Sequence, residues 1–449
     1  MKVVIVGGVA GGATAAARIR RLDEQAEIVV FERSGFISYA NCGLPYYIGG
    51  VIEDPEELTL QTPESFFRRF RVHMKVRHEV TAIHPDRKTV SVKNLKTGEE
   101  FEESYDKLLL SPGARPVRPD LPGMDSERLF TLRTVEDTFR IKEFAEQKKP
   151  RSAVIVGGGF IGVETAENLR ELGMEVTIVQ RPRQLMNPFD ADMASFIHAE
   201  MRKHGVKLLL GHSVEGFTET DGGVDVLLKD CLPLHADMVV LAIGVSPEST
   251  LARDAGLALG RKGSILVNDR METSVPDIFA VGDAVQVKHY VTGHDALIAL
   301  AGPANRQGRI AADNICGGNS RYLGSQGSSV LKIFDMTAAA TGINEGSARE
   351  SGLDVDTVIL SPMSHAGYYP GGKVMTMKVV FEKDTFRLLG AQIVGYDGVD
   401  KRIDVLATAI HAGMKAIISG GRSLGGCQYF FCVQVVEHTV STGAACVYS

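Results

Sequence analysis

Two segments of this chain, 150 residues apart, repeat one order of elements: a short apolar strand, a glycine-rich turn, a helix and a second strand. The first segment spans residues 2–32 and contains the turn Gly7–Gly12, and the second spans residues 152–179 and contains Gly157–Gly162. Strands and helices that alternate in this way form parallel sheets covered by helices. The sequence therefore predicts an α/β protein with two Rossmann-like units.

Length and composition place the chain among ordinary globular proteins. Its 449 residues suggest about three domains. The 49 basic and 55 acidic side chains give a net charge of −6, which argues against a nucleic-acid-binding protein. The apolar stretch 3–17 contains four glycines and is too short to cross a bilayer, so no membrane segment is expected. Six cysteines are too few for a disulfide framework, which predicts a reducing, cytoplasmic compartment.

The glycine turns indicate dinucleotide binding. Without side chains, the backbone can approach a pyrophosphate, whose charge then meets the amides at the helix N-terminus. The second turn fits G-x-G-x-x-G fully with Gly157, Gly159 and Gly162, whereas Val9 replaces the middle glycine of the first turn. The first unit has Glu32 at the end of its second strand, where a carboxylate can bind ribose hydroxyls. The alternative is a pair of glycine-rich turns without ligands.

The second unit lacks a corresponding acid. Gln180 ends its second strand and Arg181 follows. The arginine either meets the 2′-phosphate of NADPH or is solvated, so the sequence leaves the choice between NADH and NADPH open.

The pattern changes after the second unit. From Ser328 onward, alternating strands appear, for example over 374–380, and residues 403–411 fit a helix. This part of the chain is predicted to form a third domain of the α+β class.

Further motifs resemble those of a known family. Residues 273–283, which end in Val-Gly-Asp, resemble the second FAD fingerprint of the two-dinucleotide-binding flavoprotein reductases, whose aspartate hydrogen-bonds the ribityl chain. Residues 109–113 and 241–244 resemble the family's two crossing motifs, and residues 300–305 resemble its helix beside the isoalloxazine ring. The resemblance implies FAD at the first unit, NAD(P)H at the second, and a C-terminal dimerisation domain.

The same resemblance implies domain boundaries and cofactor contacts. The FAD domain is expected at 1–118 and 250–325, the NAD(P)H domain at 119–249 and the dimerisation domain at 326–449. The residues implied to bind FAD are Gly7, Gly8, Val9, Ala10, Gly12, Glu32, Arg33, Ser38, Asn41, Val80, Ser111, Pro112, Gly113, Gly282, Asp283, Pro303 and Ala304. Those implied to bind NAD(P)H are Gly157, Gly158, Gly159, Phe160, Ile161, Gly162, Glu164, Gln180, Arg181 and Gly244, with Phe160 as an aromatic gate over the flavin. No metal is expected.

Cys42 is the strongest catalytic candidate, and its neighbour Asn41 is a second one. Cys42 lies between Asn41 and Gly43 at a predicted loop-to-helix transition, where helix amides and an oxidised flavin can stabilise a thiolate. Tyr47 stands five residues later, so no C-x4-C redox disulfide is present there. A single cysteine beside FAD can react by forming a mixed disulfide, a persulfide or a sulfenic acid. The alternative is a buried apolar cysteine.

Residues 39–46, Tyr-Ala-Asn-Cys-Gly-Leu-Pro-Tyr, resemble the coenzyme A-disulfide reductases and their relatives, the NADH-dependent persulfide reductases. The related NADH peroxidases and oxidases carry a histidine where this chain has Ala10, so oxygen chemistry is the less favoured branch. The resemblance implies an FAD-dependent enzyme that reduces coenzyme A disulfide, with persulfide or polysulfide reduction as the alternative. Outside catalysis, the alternative is a flavin-binding redox sensor with little turnover.

The resemblance also implies substrate and partner contacts. Arg18, Arg21, Tyr39 and Lys75 are implied to bind the thiol substrate, the basic residues through the phosphates of coenzyme A. For the arginines, a solvated helix face is the alternative. Residues 365–371 resemble a loop that sends a tyrosine into the active site of the second subunit of a homodimer. Tyr368 and Tyr369 are both candidates for that catalytic role, and core aromatics in a turn are the alternative.

The likeness to this family stops at about Met414. Residues 415–449 contain no proline and hold Cys427, Cys432 and Cys446. The hypothesis is that this atypical segment is a divergent or frameshifted terminus, which leaves the dimer interface incomplete and catalysis impaired.

Overall fold

The computed structural model describes residues 1–416. The helices are α1 (Ala10–Leu22), α2 (Leu44–Ile48), α3 (Pro63–Phe70), α4 (Val135–Lys148), α5 (Phe160–Glu171), α6 (Ala191–Lys203), α7 (Thr250–Asp254), α8 (Ala301–Ile315), α9 (Glu345–Glu350) and α10 (Val399–His411). The strands are β1 (Lys2–Val6), β2 (Glu27–Glu32), β3 (Ile37–Tyr39), β4 (Thr59–Gln61), β5 (His73–Val76), β6 (His78–His84), β7 (Thr89–Asn94), β8 (Glu100–Ser104), β9 (Lys107–Leu110), β10 (Ala114–Pro116), β11 (Leu129–Thr131), β12 (Ser152–Val156), β13 (Glu175–Gln180), β14 (Lys207–Leu210), β15 (Val214–Thr220), β16 (Gly223–Leu228), β17 (Leu234–Ala236), β18 (Met238–Leu241), β19 (Val245–Pro247), β20 (Ile265–Leu266), β21 (Ile278–Ala280), β22 (Val285–Lys288), β23 (Asp295–Ala296), β24 (Ser329–Ile333), β25 (Met336–Gly342), β26 (Val355–Leu360), β27 (Met375–Glu382) and β28 (Leu388–Gly395).

The first parallel sheet has the strand order β21-β9-β1-β2-β5. Its central strand β1 is almost wholly apolar, and Val3, Val4 and Ile5 are completely buried because helices and strands cover both faces. On one face, α1 packs closely against α8, where a Cβ on Gly308 would lie 2.4 Å from the carbonyl oxygen of Gly11. Because β21 and α8 follow the second unit in the chain, this domain is assembled from two separate segments.

The second parallel sheet repeats the layout with the order β11-β18-β12-β13-β14, so β12 and β13 take the places of β1 and β2. Each parallel sheet is accompanied by a three-stranded antiparallel sheet, β6-β7-β8 in the first unit and β15-β16-β17 in the second. The two predicted Rossmann-like units and the α/β class are confirmed.

The two chain crossings lie side by side. Strand β10 pairs antiparallel with β19, with Arg115 opposite Ser246. The segments that follow the two predicted crossing motifs therefore form one two-stranded connection between the parallel sheets. The precise domain boundaries stay predictions.

The third domain is an antiparallel sheet, β24-β25-β28-β27-β26, packed against α10. The buried residues Val399, Ile403, Leu406 and Ile410 follow the helical period and face this sheet. The structure confirms the α+β class, although α10 begins four residues before the predicted start at Ile403.

The described chain ends shortly after α10. Ala416 donates a backbone hydrogen bond to the carbonyl oxygen of Phe386, so the domain's contacts continue just past the predicted break at Met414. Cys427, Cys432 and Cys446, and with them the hypothesis of an impaired terminus, lie outside the described residues. Over residues 1–416, no helix is both long and apolar enough to cross a membrane.

Candidate active site

The first glycine turn is fixed by close backbone contacts. Gly7 has φ +98°, and a Cβ at this position would lie 2.1 Å from the carbonyl oxygen of Ser111, which comes from the end of the neighbouring strand β9. Only glycine therefore fits at this position. Val9, at the middle position of the motif, has φ −101°, an ordinary value for a residue with a side chain. Val9 therefore does not need the positive φ that favours glycine.

Polar side chains at the ends of β2 and β13 hold the two turns in the same way. In the first unit, Glu32 Oε2 accepts a 2.8 Å hydrogen bond from the Gly8 amide, and its Oε1 accepts one from Ser34. In the second unit, Gln180 Oε1 accepts a 3.0 Å bond from the Gly158 amide. The two predicted ribose-binding positions are therefore structurally equivalent, but only the first carries a negative charge.

A cleft of about 680 Å³ opens beside the first turn. This volume is within the usual range for ligand sites. Ten of the predicted cofactor or substrate residues line it: Gly7, Val9, Glu32, Arg33, Tyr39, Asn41, Val80, Ser111, Pro112 and Gly113. The structure thus brings together residues of β2, β3 and β6 with residues of the loops after β1 and β9.

Asp283 is linked to this cleft through Arg133, a residue that no sequence motif indicated. Arg133, which lines the cleft, donates from Nη2 to Asp283 Oδ2 at 2.6 Å and from Nε to the Ala114 carbonyl oxygen. Asp283 and Arg133 are 150 residues apart in the chain. The sequence contained no local signal for this pair, because the pairing exists only once the two parallel-sheet domains meet.

The remaining predicted FAD residues surround the same turn. Ser38 has φ +45°, and its amide donates to the Gly8 carbonyl oxygen. Gly282 donates its amide to Gln307 Oε1 on α8. The others lie in the first turns of α1 and α8: Ala10, Gly12, Pro303 and Ala304.

The second turn has the same construction. Gly157 has φ +112°, and a Cβ there would lie 2.3 Å from the Ala242 carbonyl oxygen at the end of β18. Gly159 has open space at its Cβ position. Phe160, Ile161, Gly162 and Glu164 occupy the first turns of α5, and Gly244, with φ +110°, precedes β19. The half-buried Phe160 packs against the core below the turn.

Cys42 lies in the short 3₁₀ segment Asn41–Gly43 that precedes α2. Its neighbour Asn41 lines the cleft, and part of Cys42 reaches solvent. Partial burial of the thiol, reinforced by the negative charge of Glu164, raises the pKa of Cys42 above its ordinary value. Within the protein itself, these two effects oppose ionisation of the thiol, and the short helix α2 of five residues follows it. The stabilisation of the thiolate by helix amides together with an oxidised flavin stays a prediction.

A buried acidic helix face lies behind Cys42. Burial and the neighbouring Glu167 raise the pKa of Glu164 to about 7. Glu167 is completely buried and pairs with Lys332 Nζ of β24 at 2.7 Å. The pKa of Tyr46, on α2, is also raised by burial and by the charge of Glu164. This cluster holds a carboxyl group that changes protonation near neutral pH.

The predicted substrate residues are dispersed. Arg18 pairs with Asp313 of α8 at 2.8 Å. The exposed Arg21 lies over the Phe70 ring, while Lys75 lies over the rings of Phe31 and Phe101. Tyr39 lines the cleft, and burial followed by the charge of Glu32 raises its pKa, which keeps the hydroxyl protonated. The structure gives the three basic residues separate partners and does not join them into one phosphate site.

Tyr368 and Tyr369 lie in the loop between β26 and β27 of the third domain. They are 86% and 65% exposed, so neither is a core residue. The ring of Tyr369 stands edge-on to that of His365, with 5.6 Å between the ring centroids. Both aromatic side chains are available to a second molecule.

The polar groups of the first cleft fit a bound dinucleotide. The oxygen Oδ1 of Asn41 is buried without a hydrogen-bond partner. A buried amide oxygen of this kind requires a donor from water or a ligand. The turn at Gly7, the carboxylate of Glu32 and the cation of Arg133 supply the anion-binding amides, ribose acceptor and charge that FAD needs.

Comparisons with known proteins follow the same division of the chain. Residues 1–308 match the model of the pyridine nucleotide-disulphide oxidoreductase family, and residues 328–419 match that of its dimerisation domain. The second match extends five residues beyond the predicted break at Met414.

Individual relatives cover nearly the whole chain. A coenzyme A disulfide reductase of Staphylococcus aureus is 38% identical over 410 residues, which are 91% of this chain and 92% of that protein. The reduced Bacillus anthracis CoADR-RHD is 46% identical, with a TM-score of 0.92 over 97% of this chain and 80% of the other. The NAD-dependent persulfide reductase from A. fulgidus is 36% identical, with a TM-score of 0.90 over 99% and 83% of the two chains.

Proposed function

Because the chain belongs to the pyridine nucleotide-disulphide oxidoreductase family, we propose that it uses NAD(P)H and FAD to reduce coenzyme A disulfide through the single cysteine Cys42. The observation that carries this proposal is the position of Cys42, next to the cleft-lining Asn41. The other cysteines within residues 1–416 are Cys231 and Cys316, and both are free thiols. A persulfide is the second candidate substrate, favoured by the likeness to the persulfide reductase.

FAD, when bound, supplies two-electron transfer between the nicotinamide and a sulfur. The chain's own part is to hold the cofactor and expose the thiol. The amides of the first glycine turn would bind phosphate, Glu32 would accept from ribose, and the Arg133–Asp283 pair would provide a fixed polar group at the cleft wall. Cys42, as the thiolate, attacks a disulfide or persulfide and forms a new S–S bond, with release of the first thiol.

We also propose that NADPH is preferred to NADH. Strand β13 ends in Gln180, which has no carboxylate. The side-chain oxygen of Gln180 already accepts a hydrogen bond from the Gly158 amide. Arg181 and Arg183 are exposed, and neither forms an ion pair with any residue in 1–416. An adjacent guanidinium suits a 2′-phosphate, whereas a ribose diol would lack its usual acidic acceptor.

The tyrosines of the third domain support the prediction of a homodimer. A match to a dimerisation domain and two strongly exposed aromatic side chains, Tyr368 and Tyr369, favour their burial against a second subunit. There, a tyrosyl hydroxyl would orient or protonate a leaving thiolate. The low cysteine content supports a reducing, cytoplasmic compartment.

The test of the main proposal compares Cys42→Ser with the control Cys231→Ser. Anaerobic flavin spectra should show that NAD(P)H still reduces the flavin in both variants. Turnover with coenzyme A disulfide and with a persulfide should fall about 10³-fold or more in Cys42→Ser and stay unchanged in the control. Retained disulfide turnover in Cys42→Ser would refute the mechanism. A wild-type flavin that neither substrate reoxidises would instead favour the redox sensor.

A further inference from the structure

Three metal-ligating side chains meet between helix α6 and the third domain. Glu200 and His204 lie one helical turn apart at the end of α6, and Asp335 comes from the turn between β24 and β25. His204 Nε2 lies 3.1 Å from Glu200 Oε1 and 3.8 Å from Asp335 Oδ2. One nitrogen or oxygen atom of each side chain lies within 4.8 Å of the other two. The three side chains therefore converge on one point between the two domains.

These distances suit a single zinc ion. Tetrahedral zinc has bonds of about 2.0–2.2 Å to imidazole nitrogen and carboxylate oxygen, which places its ligand atoms about 3.4 Å apart. The distances from His204 to the two carboxylates, 3.1 and 3.8 Å, lie on either side of this value. One imidazole and two carboxylates leave the fourth position of the metal for water. The side chain of Asp335 is 75% exposed, so it is free to adjust and the site is open to solvent.

The imidazole of His204 is held in a defined orientation. Its ring stacks on that of Phe334, with 4.0 Å between the ring centroids and 5° between the planes. Phe334 and Asp335 form the two-residue turn of the β24-β25 hairpin. Phe334 has φ +52°, in the left-handed region that a bulky residue rarely occupies. One turn therefore brings both an aromatic support and a carboxylate to the end of α6.

The carboxylate of Glu200 is also fixed. Its side chain is 2% exposed, and Oε2 accepts a 2.7 Å hydrogen bond from the hydroxyl of Tyr396, which follows β28. Outer hydrogen bonds of this kind orient the ligands of metal sites. Lys203 Nζ lies 3.2 Å from Glu200 Oε1, but this lysine is 57% exposed and also lies over the Tyr396 ring. Its flexible stem lets it turn out to solvent when a metal takes its place.

We propose that Glu200, His204 and Asp335 bind one zinc ion, which links the second parallel-sheet domain to the third domain. A ligand that binds only the folded chain stabilises it, so zinc should strengthen the contact between these domains. The inference does not depend on the proposed disulfide reduction, because the three residues lie outside the lining of the cleft. It departs from the expectation of no metal, since Asp335 reaches α6 only in the folded chain.

The test measures zinc binding to the full chain after a chelator has removed bound metals. Equilibrium dialysis against zinc chloride, followed by elemental analysis, compares wild type with His204→Phe, which keeps an aromatic ring beside Phe334 but has no ligand nitrogen. Wild type should bind one zinc ion more than this variant. The matched control is His235→Phe, because His235 pairs with a single carboxylate, that of Asp225, at 2.9 Å. The control should bind as much zinc as wild type.

Thermal unfolding gives a second readout. At a zinc concentration about 100 times the Kd, the unfolding midpoint of wild type and of His235→Phe should rise by about 2–4 °C. His204→Phe should lose this shift. Asp335→Asn removes one charged ligand from an exposed position, so the fold does not depend on it. Its zinc affinity should fall at least about tenfold, because even the loss of a hydrogen bond to a metal ligand costs about 10- to 100-fold.

X-ray absorption at the zinc edge identifies the ligands of the first equivalent bound. Wild type should show nitrogen and oxygen neighbours at about 2.0–2.2 Å, whereas cysteine ligands would give sulfur at about 2.3 Å. This distinction matters because Cys231 Sγ lies 3.4 Å from His212 Nδ1 and offers zinc another pair of ligands. Equal zinc content in wild type and His204→Phe, a sulfur shell in wild type, or wild-type affinity in Asp335→Asn would each overturn the inference. Should His204→Phe fail to fold, as judged by circular dichroism, the Asp335→Asn affinity and the ligand shell decide.

Discussion

Lys378 is the most deeply buried cation between the second parallel-sheet domain and the third domain. Its side chain is 4% exposed, and Nζ lies 2.8 Å from both Asp192 and Glu345 and 3.2 Å from Asp190. Asp190 and Asp192 flank the start of α6, whereas Lys378 belongs to β27. The substitution Lys378→Met keeps the length of the side chain but removes the charge that three carboxylates share.

We expect this substitution to destabilise the protein by about 3–5 kcal/mol at pH 7.5, the usual cost of leaving buried charges without their partner. The partial exposure of Asp192 and the Glu345–Arg349 ion pair favour the lower half of this range. As the matched control, Lys207→Met removes an exposed lysine that pairs with Glu175 at 3.0 Å. Its cost should stay below about 1 kcal/mol.

The effect should depend on pH in a defined direction. In wild type, hydrogen bonds from Lys378 hold the pKa of Glu345 below its ordinary value. Burial opposes ionisation of Asp190, but hydrogen bonds and Lys378 outweigh it and lower that pKa too. Wild type therefore loses this stabilisation only as the pH falls through the lowered values, below about 4. Without Lys378 the same carboxyl groups repel one another, and their pKa values rise. The destabilisation should therefore be greatest at pH 7–8 and smaller near pH 5.

Urea denaturation of the full chain, followed by far-UV circular dichroism at pH 7.5 and pH 5, measures both effects. Wild type, Lys378→Met and Lys207→Met should show the same slope with denaturant, so that differences in midpoint report stability. A loss below about 1 kcal/mol for Lys378→Met at pH 7.5 would contradict the claim that the cation is needed. A loss that is as large at pH 5 would contradict the electrostatic reasoning.

Two further predictions concern the second unit. Gly157→Ala should raise KM for NAD(P)H and lower the unfolding midpoint, and both effects should be larger than in the control Gly173→Ala. Both glycines have positive φ, but only Gly157 would place a Cβ 2.3 Å from a carbonyl oxygen. Isothermal titration and thermal unfolding would test this, and equal effects would contradict the contact argument. Arg181→Ala combined with Arg183→Ala should weaken binding of 2′-phospho-AMP about tenfold or more and leave AMP unchanged, as fluorescence titration would show. Equal losses for both nucleotides would refute the proposed NADPH preference.

Much of the fold could be predicted because its strongest signals are local. The buried strand β1 and the alanine-rich helix α1 carry their pattern within single segments, and the predicted order of strand, glycine turn, helix and strand over residues 2–32 agrees with the structure. The two three-stranded antiparallel sheets beside the parallel sheets carry no such local signal. Strand β8 has the sequence Glu-Phe-Glu-Glu-Ser, in which a single apolar residue is too little to show a period.

The site was harder to predict where it depends on distant parts of the chain. The role of Arg133 arises from its pairing with Asp283, and no pattern near either residue indicates that contact. The surroundings of the Cys42 thiol were hard to predict for a related reason. The burial of the thiol and the charge of Glu164 come from parts of the chain that are distant in sequence.

The two glycine units also show why an acid at a strand end must be interpreted with care. Glu32 and Gln180 both accept from the amide of the second glycine in their turn, so that structural role requires an oxygen but no charge. What remains for a ligand differs between them. Glu32 keeps a negative charge after its backbone bonds are made, whereas the Gln180 amide donates its Nε2 to the Gln184 carbonyl oxygen. A ribose diol needs an acceptor, whereas a 2′-phosphate needs a cation. The two nucleotide sites therefore differ in the charge at the end of β2 and β13, although the hydrogen bond to the glycine turn is the same in both.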